Sequence, residues 1–169
     1  VGNFNLNPSA TGYTLTSKYG LSVYNLNSVE RVSFSNEKIA FDVAGTSNAG
    51  GVAKILGAVF GAAAVGNTTY AGIGMSFLDG GMSYENLMNL AISAALPGAR
   101  LTNKAVVDLL FTNVVGVVPT VDQAKPYLDL LDNHTFTVAQ LGVLAADSSF
   151  NTTQIGLTGQ LVQTGLHYV

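Results

Sequence analysis

The sequence predicts an α+β fold: a small N-terminal β-segment over residues 1–46, followed by a helical bundle over residues 47–169. Three observations carry this. The stretch from Leu21 to Val43 sets strand-forming residues (Val23, Val29, Val32, Phe34, Ile39, Phe41) among polar turns. From Ser47 onward strand character stops, and Ala, Leu and Gly dominate segments that open on helix-capping residues. A helical unit then recurs after about fifty residues, over about 48–100 and 102–150.

In the β-segment, Tyr13, Leu15, Leu21 and Val23 are strand candidates among Asn, Ser, Thr and Gly. Glu30-Arg31-Val32-Ser33-Phe34 alternates outward and inward, Ser35-Asn36-Glu37-Lys38 turns, and Lys38-Ile39-Ala40-Phe41 returns. So few strands make no stable sheet alone, so this one must lean on the helices or on a neighbour.

Ser47 or Asn48 caps the first helix, which runs through Lys54 to Phe60 with an apolar stripe of Val52, Ile55, Leu56, Val59 and Phe60. Tyr70 to Leu78 gives a short second helix. Ser83 caps a third, with Leu87, Leu90, Ala91 and Ala94 on one face, and Pro97-Gly98 ends it. Thr102 caps a fourth, with Val106, Leu109, Leu110 and Val114 inward. Thr120 with Gln123 has the form of a capping box, but Pro126 suits a first turn and predicts a later start. Thr137 with Gln140 is a second capping box. Asn151 or Thr152 caps a last helix containing Ile155, Leu161, Val162 and Leu166. The repeat pairs Phe60 with Phe111, Asp79 with Asp132, Ser83 with Thr137, Leu87 with Leu141 and Leu90 with Leu144. The stripes assign Leu87, Leu90, Leu110, Phe111, Leu141 and Leu144 to the core.

Composition bounds the function. The chain of 169 residues can bury a proper core. Apolar residues make up 48%, which is ordinary, but charged residues only 10%, against a usual ~25%. Asn, Ser, Thr, Gln and Gly must cover the surface, which suits a protein that packs into a lattice, fibre or matrix; drift in a secreted protein is the plainer alternative. The net charge of −3 with seven scattered cations offers no stripe for nucleic acid. There is no Cys, so no disulfide framework and no thiolate zinc site. The longest apolar run, Val52 to Val65, contains Lys54 and several Gly and is too short to span ~30 Å of hydrocarbon. No signal peptide is visible, and Val1 reads as a processing boundary, which places any export signal upstream or at the C-terminus.

The stretch Leu26-Asn27-Ser28-Val29-Glu30-Arg31-Val32-Ser33-Phe34-Ser35-Asn36, with Ile39-Ala40-Phe41-Asp42, resembles the strand motif that follows the β-roll of RTX-type secreted bacterial proteins. The two helical units resemble the uncharacterised helical repeat that commonly comes next in type I secretion substrates, surface-layer proteins and adhesins. The closing segments Thr153 to Gly159 and Gln163 to Val169 resemble the C-terminus of such proteins. The resemblance implies a secreted, cell-surface module with a structural or cell-adhesion role. Two departures stand out. The family's Arg-x-Pro-Asp turn is replaced by Gly61-Ala62-Ala63-Ala64-Val65-Gly66 in the first copy and Gly116-Val117-Val118-Pro119 in the second. No Gly-Gly-x-Gly-x-Asp nonapeptide occurs, so a calcium β-roll would have to lie upstream.

Candidate chemistry is sparse. His134 sits in the polar turn Asp132-Asn133-His134-Thr135, and His167 near the end of the expected last helix, where a cation favours the dipole. Neither has ligands at a recognisable metal spacing. Asp129 and Asp132 share a helical face without a defined pocket. Asp79-Gly80-Gly81 offers one carboxylate where Ca²⁺ takes six to eight oxygens. No Gly-x-Ser-x-Gly elbow occurs. Gly57-x-x-x-Gly61 reads as close packing inside a bundle. Catalytic and metal residues are therefore assigned to none, and calcium is the one cofactor kept open. Tyr13, Tyr19 and Tyr24 are candidate contacts, either for self-association or for stacking on sugar rings beside Asn amides. The expected function is a non-catalytic secreted structural or adhesive module that self-assembles or docks in a surface layer or extracellular matrix. Its partners are itself or neighbouring surface proteins, with polysaccharide as another ligand, no nucleic acid and no membrane span. A carbohydrate-binding module and a C-terminal appendage of a larger secreted enzyme are the alternatives.

Overall fold

The computed structural model describes residues 3–9, 12–20 and 22–169; Leu21 and the boundary reading at Val1 lie outside them. The architecture is α+β: two small antiparallel sheets set against a helical bundle. Strands β1 (Phe4–Ser9), β2 (Gly12–Ser17) and β3 (Val23–Asn27) form the first sheet in that order. Strands β4 (Arg31–Ser33) and β5 (Lys38–Ala40) form a hairpin, and β6 (Leu166–Tyr168) joins it on the β5 side. Val29 is not in a strand: Ser28 turns into the left-handed region (φ 53°), which ends β3 before it.

β6 corrects an expectation. Leu166 and His167 do not close a helix; Gly165 (φ 73°) stops it and the chain extends along β5, Ile39 opposite His167 and Ala40 opposite Leu166. A Cβ at Gly165 would lie 2.5 Å from the Ile39 side chain and 2.9 Å from the Ala40 carbonyl, so glycine is required where the strand enters. Ala40 and Leu166, opposed on one face, are fully buried in the helical core, and through them the short sheet leans on the bundle; Ile39, on the other face, is fully buried as well.

The helices are α1 (Asn48–Phe60), α2 (Thr68–Asp79), α3 (Tyr84–Ala95), α4 (Asn103–Val115), α5 (Val121–Asp132), α6 (Val138–Ala146), α7 (Ser149–Gln154) and α8 (Gln160–Thr164). Ten of the thirteen residues of α1 are buried, and α2, α3, α4, α6 and α7 all pack on it. A helix that is apolar all round has to be central. Gly57 makes this possible: a Cβ there would lie 2.4 Å from Ile155 and 2.5 Å from the Asn151 amide oxygen.

Caps fix the starts. Ser47, Ser83, Thr102, Thr120 and Thr137 each accept from a backbone N–H of the first turn, and the boxes at Thr120 and Thr137 are both closed by their glutamines. α5 therefore begins at Val121, not later, with Pro126 inside it. Pro126 is exposed, so the carbonyl that loses its N–H partner can turn to water. Ser148, not Asn151 or Thr152, caps α7. Asn151 is fully buried, and its side chain donates to the Lys54 and Ala146 carbonyls.

The two units match helix for helix. Ser47 and Thr102 cap α1 and α4, and Gly61 (φ 85°) and Gly116 (φ 87°) end them. Asn48 donates to Asp79 at 2.8 Å, and Asn103 to Asp132 at 2.7 Å, each tying the first helix of a unit to the end of its second. These fixed points correct the pairing of the first helices: Leu56 corresponds to Phe111, and Phe60 to Val115. Leu87, Leu110 and Leu141 are buried and Phe111 is half-buried, but Leu90 and Leu144 are 42% and 49% exposed. Their stripes are apolar because they border open grooves rather than the core.

Candidate functional site

Three clusters of ionisable groups sit at joints between elements. The Arg31 guanidinium holds Asp42 through two bonds of 3.1 Å and Asp79 through bonds of 2.6 and 3.3 Å. Asp42 and Asp79 raise its pKa further, and Arg31 holds the Asp79 carboxyl below the usual range. Asp79 thus serves as a clamp between sheet and bundle, and both its oxygens are taken. Lys54, with a side chain only 13% exposed, reaches Asp147 at 2.7 Å and lies over the Tyr84 ring. Burial, reinforced by Asp147, pushes the Tyr84 hydroxyl well up. His167 Nδ1 lies 3.0 Å from Glu37, and this contact lowers the Glu37 carboxyl.

The remaining sequence candidates do not converge. His134 is an exposed turn residue in the left-handed region (φ 54°). Asp129 pairs with Lys125, and Asp132 takes Asn103. Among the described residues no three His, Cys, Asp or Glu side chains come together. Sequence reasoning missed the Arg31 and Lys54 clusters. Their signal was the charge scarcity itself, since a lone cation kept inside an apolar helix or a short strand has to be answered by a partner.

The first sheet is divided by its pleat. Phe4, Leu6, Pro8, Tyr13, Leu15, Tyr24 and Leu26 share one face, because directly opposed residues point the same way. That face meets the rest of the protein: Tyr13 stacks on Phe41 with centroids 3.9 Å apart and its hydroxyl donates to the Val162 carbonyl, while Phe4 lies beside Phe34. The other face carries Asn5, Asn7, Thr14, Thr16, Val23 and Asn25 and no charge. Tyr13 is therefore committed to docking the sheet. Tyr24 is 51% exposed on the same face beside Phe4, and Tyr19 is 74% exposed in the turn after β2. The three tyrosines do not form one platform, and Tyr13 and Tyr24 lie on the side opposite the amides.

Two apolar grooves lie in equivalent places of the two units. The first, about 220 Å³, is walled by Val52, Ile55, Leu56 and Phe60 of α1 and by Leu87, Leu90, Ala91 and Ala94 of α3. The second, about 590 Å³, has Val107, Leu110, Phe111 and Val115 of α4 and Leu141, Leu144, Ala145 and Ser148 at the corresponding positions. The third walls differ. α2 supplies Tyr70, Ile73, Gly74 and Phe77, whereas α5 supplies only Tyr127 and Phe150 closes the second groove from α7. The only charge at either lining is Asp147, which Lys54 neutralises.

Comparison with known protein families, with curated proteins and with solved structures returns no match to this chain. No helix among the described residues is long and apolar enough to cross a membrane.

Proposed function

We propose that this chain is a non-catalytic structural or adhesive module of a secreted cell-surface layer or extracellular matrix, of the kind carried by RTX-type secretion substrates. It binds neighbouring copies or neighbouring surface proteins. The observation that carries this reading is the pair of equivalent open grooves, each with a leucine, Leu90 or Leu144, left half in water at a position of the apolar stripe. Exposed apolar surface of this kind is costly unless something covers it. Association of such a neutral surface loses little desolvation energy and involves few ion pairs, so salt affects it weakly.

Sedimentation velocity over rising concentration, at low and high salt, tests the reading. Concentration-dependent assembly that persists in high salt and is weakened by Leu144→Glu supports it. A strictly monomeric protein at every concentration and salt overturns it. A carbohydrate-binding module is the second reading, favoured by the uncharged Asn and Thr face of the first sheet. Polysaccharide binding that survives Tyr24→Ala but is lost on Asn7→Ala with Asn25→Ala would put that reading ahead.

A further inference from the structure

The first sheet has two edges, and only one is protected. The Ser17 N–H bonds the Ser22 carbonyl, and the Lys18 N–H bonds the Asn3 carbonyl, both at 2.9 Å. In an antiparallel ladder, bonded and non-bonded pairs alternate. β2 therefore bonds β3 through Leu15 opposite Tyr24 and Tyr13 opposite Leu26, and bonds β1 through Thr16 and Thr14. On β1 the outward positions include Pro8, which has no N–H to offer, and α8 packs beside that strand. On β3 the backbone groups of Val23 and Asn25 point outward, and neither has a hydrogen-bond partner among the described residues. Val23 is 61% and Tyr24 51% exposed. No Lys, no Pro and no charge of any kind lies in Val23–Asn27. Those are the usual devices that keep an edge from pairing, and all are missing here.

We propose that β3 pairs antiparallel with β3 of a second copy, joining two three-stranded sheets into one of six strands. This rests on the assembly reading above and adds a second contact to it. An antiparallel edge is self-complementary under two-fold symmetry, and an uncharged strand has no like-charge repulsion against its own copy. The register centred on the strand sets Asn25 opposite Asn25 of the second copy. It extends the amide and hydroxyl rows on the polar face, and on the other face it sets Tyr24 beside Leu26 of the second copy, covering side chains that are now open to water.

The chain has no cysteine, so single introduced thiols report cleanly. Opposed bonded residues have Cα atoms about 5.5 Å apart, within disulfide reach. Asn25→Cys gives a disulfide-linked dimer under mild oxidation. Asn7→Cys, in the same cross-strand row on the protected strand, does not. Asn25→Pro removes only an outward N–H, leaves the β2 ladder whole, and weakens self-association on the order of tenfold or more through one lost donor per copy. Circular dichroism checks its fold; if that variant is unfolded, the cysteine pair decides alone. Equal cross-linking at Asn7 and Asn25 overturns the pairing, and so does unchanged association of a folded Asn25→Pro. In both cases assembly through the grooves still stands. A wild-type protein that never associates overturns the pairing and the assembly reading together.

Discussion

Leu87 and Leu90 sit three residues apart on α3, and truncating each to alanine separates core from groove. Leu87 is 5% exposed, packed into the core at the floor of the first groove, so Leu87→Ala loses the transfer energy of three carbons and leaves a void in the core, at a cost of about 2–5 kcal/mol. Leu90 is 42% exposed and borders an open groove. A little over half its surface is covered, so at ~0.8 kcal/mol per buried methylene Leu90→Ala costs about 1–1.5 kcal/mol, with no sealed cavity to add. In a domain of this size each kcal/mol moves Tm by about 2–4 °C. Scanning calorimetry on the monomer should show Leu87→Ala melting about 4–20 °C below wild type and Leu90→Ala about 2–6 °C below, with Leu87→Ala the larger loss. The second unit repeats the experiment: Leu141, 3% exposed, should behave like Leu87, and Leu144 like Leu90. Equal losses at the buried and bordering leucines, in both units, refute the placement of the grooves.

Other outcomes follow from the joints. Gly142→Val should destabilise by about 1–3 kcal/mol or more, because even a Cβ there would lie 2.7 Å from Met88 and 2.8 Å from Ile92; chemical denaturation reads this. Arg31 lowers the Asp79 carboxyl, so that contribution is present above the unfolded carboxylate pKa of about 3.9 and is lost as pH falls through the depressed folded value. The acid limb of Tm against pH should therefore flatten in Arg31→Gln; an unchanged limb rules out the clamp. Burial and Asp147 raise the Tyr84 hydroxyl, so phenolate absorbance of the folded protein at pH 12 should fall short of the unfolded value by at least one tyrosine, and Tyr84→Phe should shrink that shortfall by one.

The sequence showed most of the helical plan because caps are local. Ser83, Thr102 and Thr137 each satisfy an N–H three residues on, and no distant residue alters that. The tail was misread because its decisive contacts are not local. Whether Leu166 continues a helix or becomes a strand depends on β5, far back in the chain, and on Gly165 leaving room for it. Leu90 and Leu144 failed for a different reason. Helical spacing shows which residues share a face but not whether another helix closes over that face. Pro126 misled because first-turn preference was weighed above the capping box, which sets where α5 starts. The split of Tyr13 and Tyr24 from Asn5, Asn7 and Asn25 required the register between strands, and no single strand shows it.

The scarcity of charge and the fold are two sides of one arrangement. Arg31 joins the β4–β5 sheet to α2, and Lys54 joins α1 to the end of α6. Lys104 and Lys125 are paired within their own helices. Of the seven cations, Arg31 and Lys54 are thus spent on joints between elements, where the scarce charge does structural work. The two units differ at the same point. Asp79 has Asn48 and Arg31, whereas Asp132 has Asn103 and no arginine, because the β-hairpin can dock on only one of two equivalent helix ends. The first unit is therefore anchored to the sheets, and the second presents the larger groove with a thinner third wall. If neighbours pack into these grooves, the second unit should carry more of the contact. Leu144→Glu should then weaken assembly more than Leu90→Glu when both are compared by sedimentation. The opposite order would mean that groove size does not govern the contact, and little effect of either substitution would mean that the sheet edge at β3 dominates.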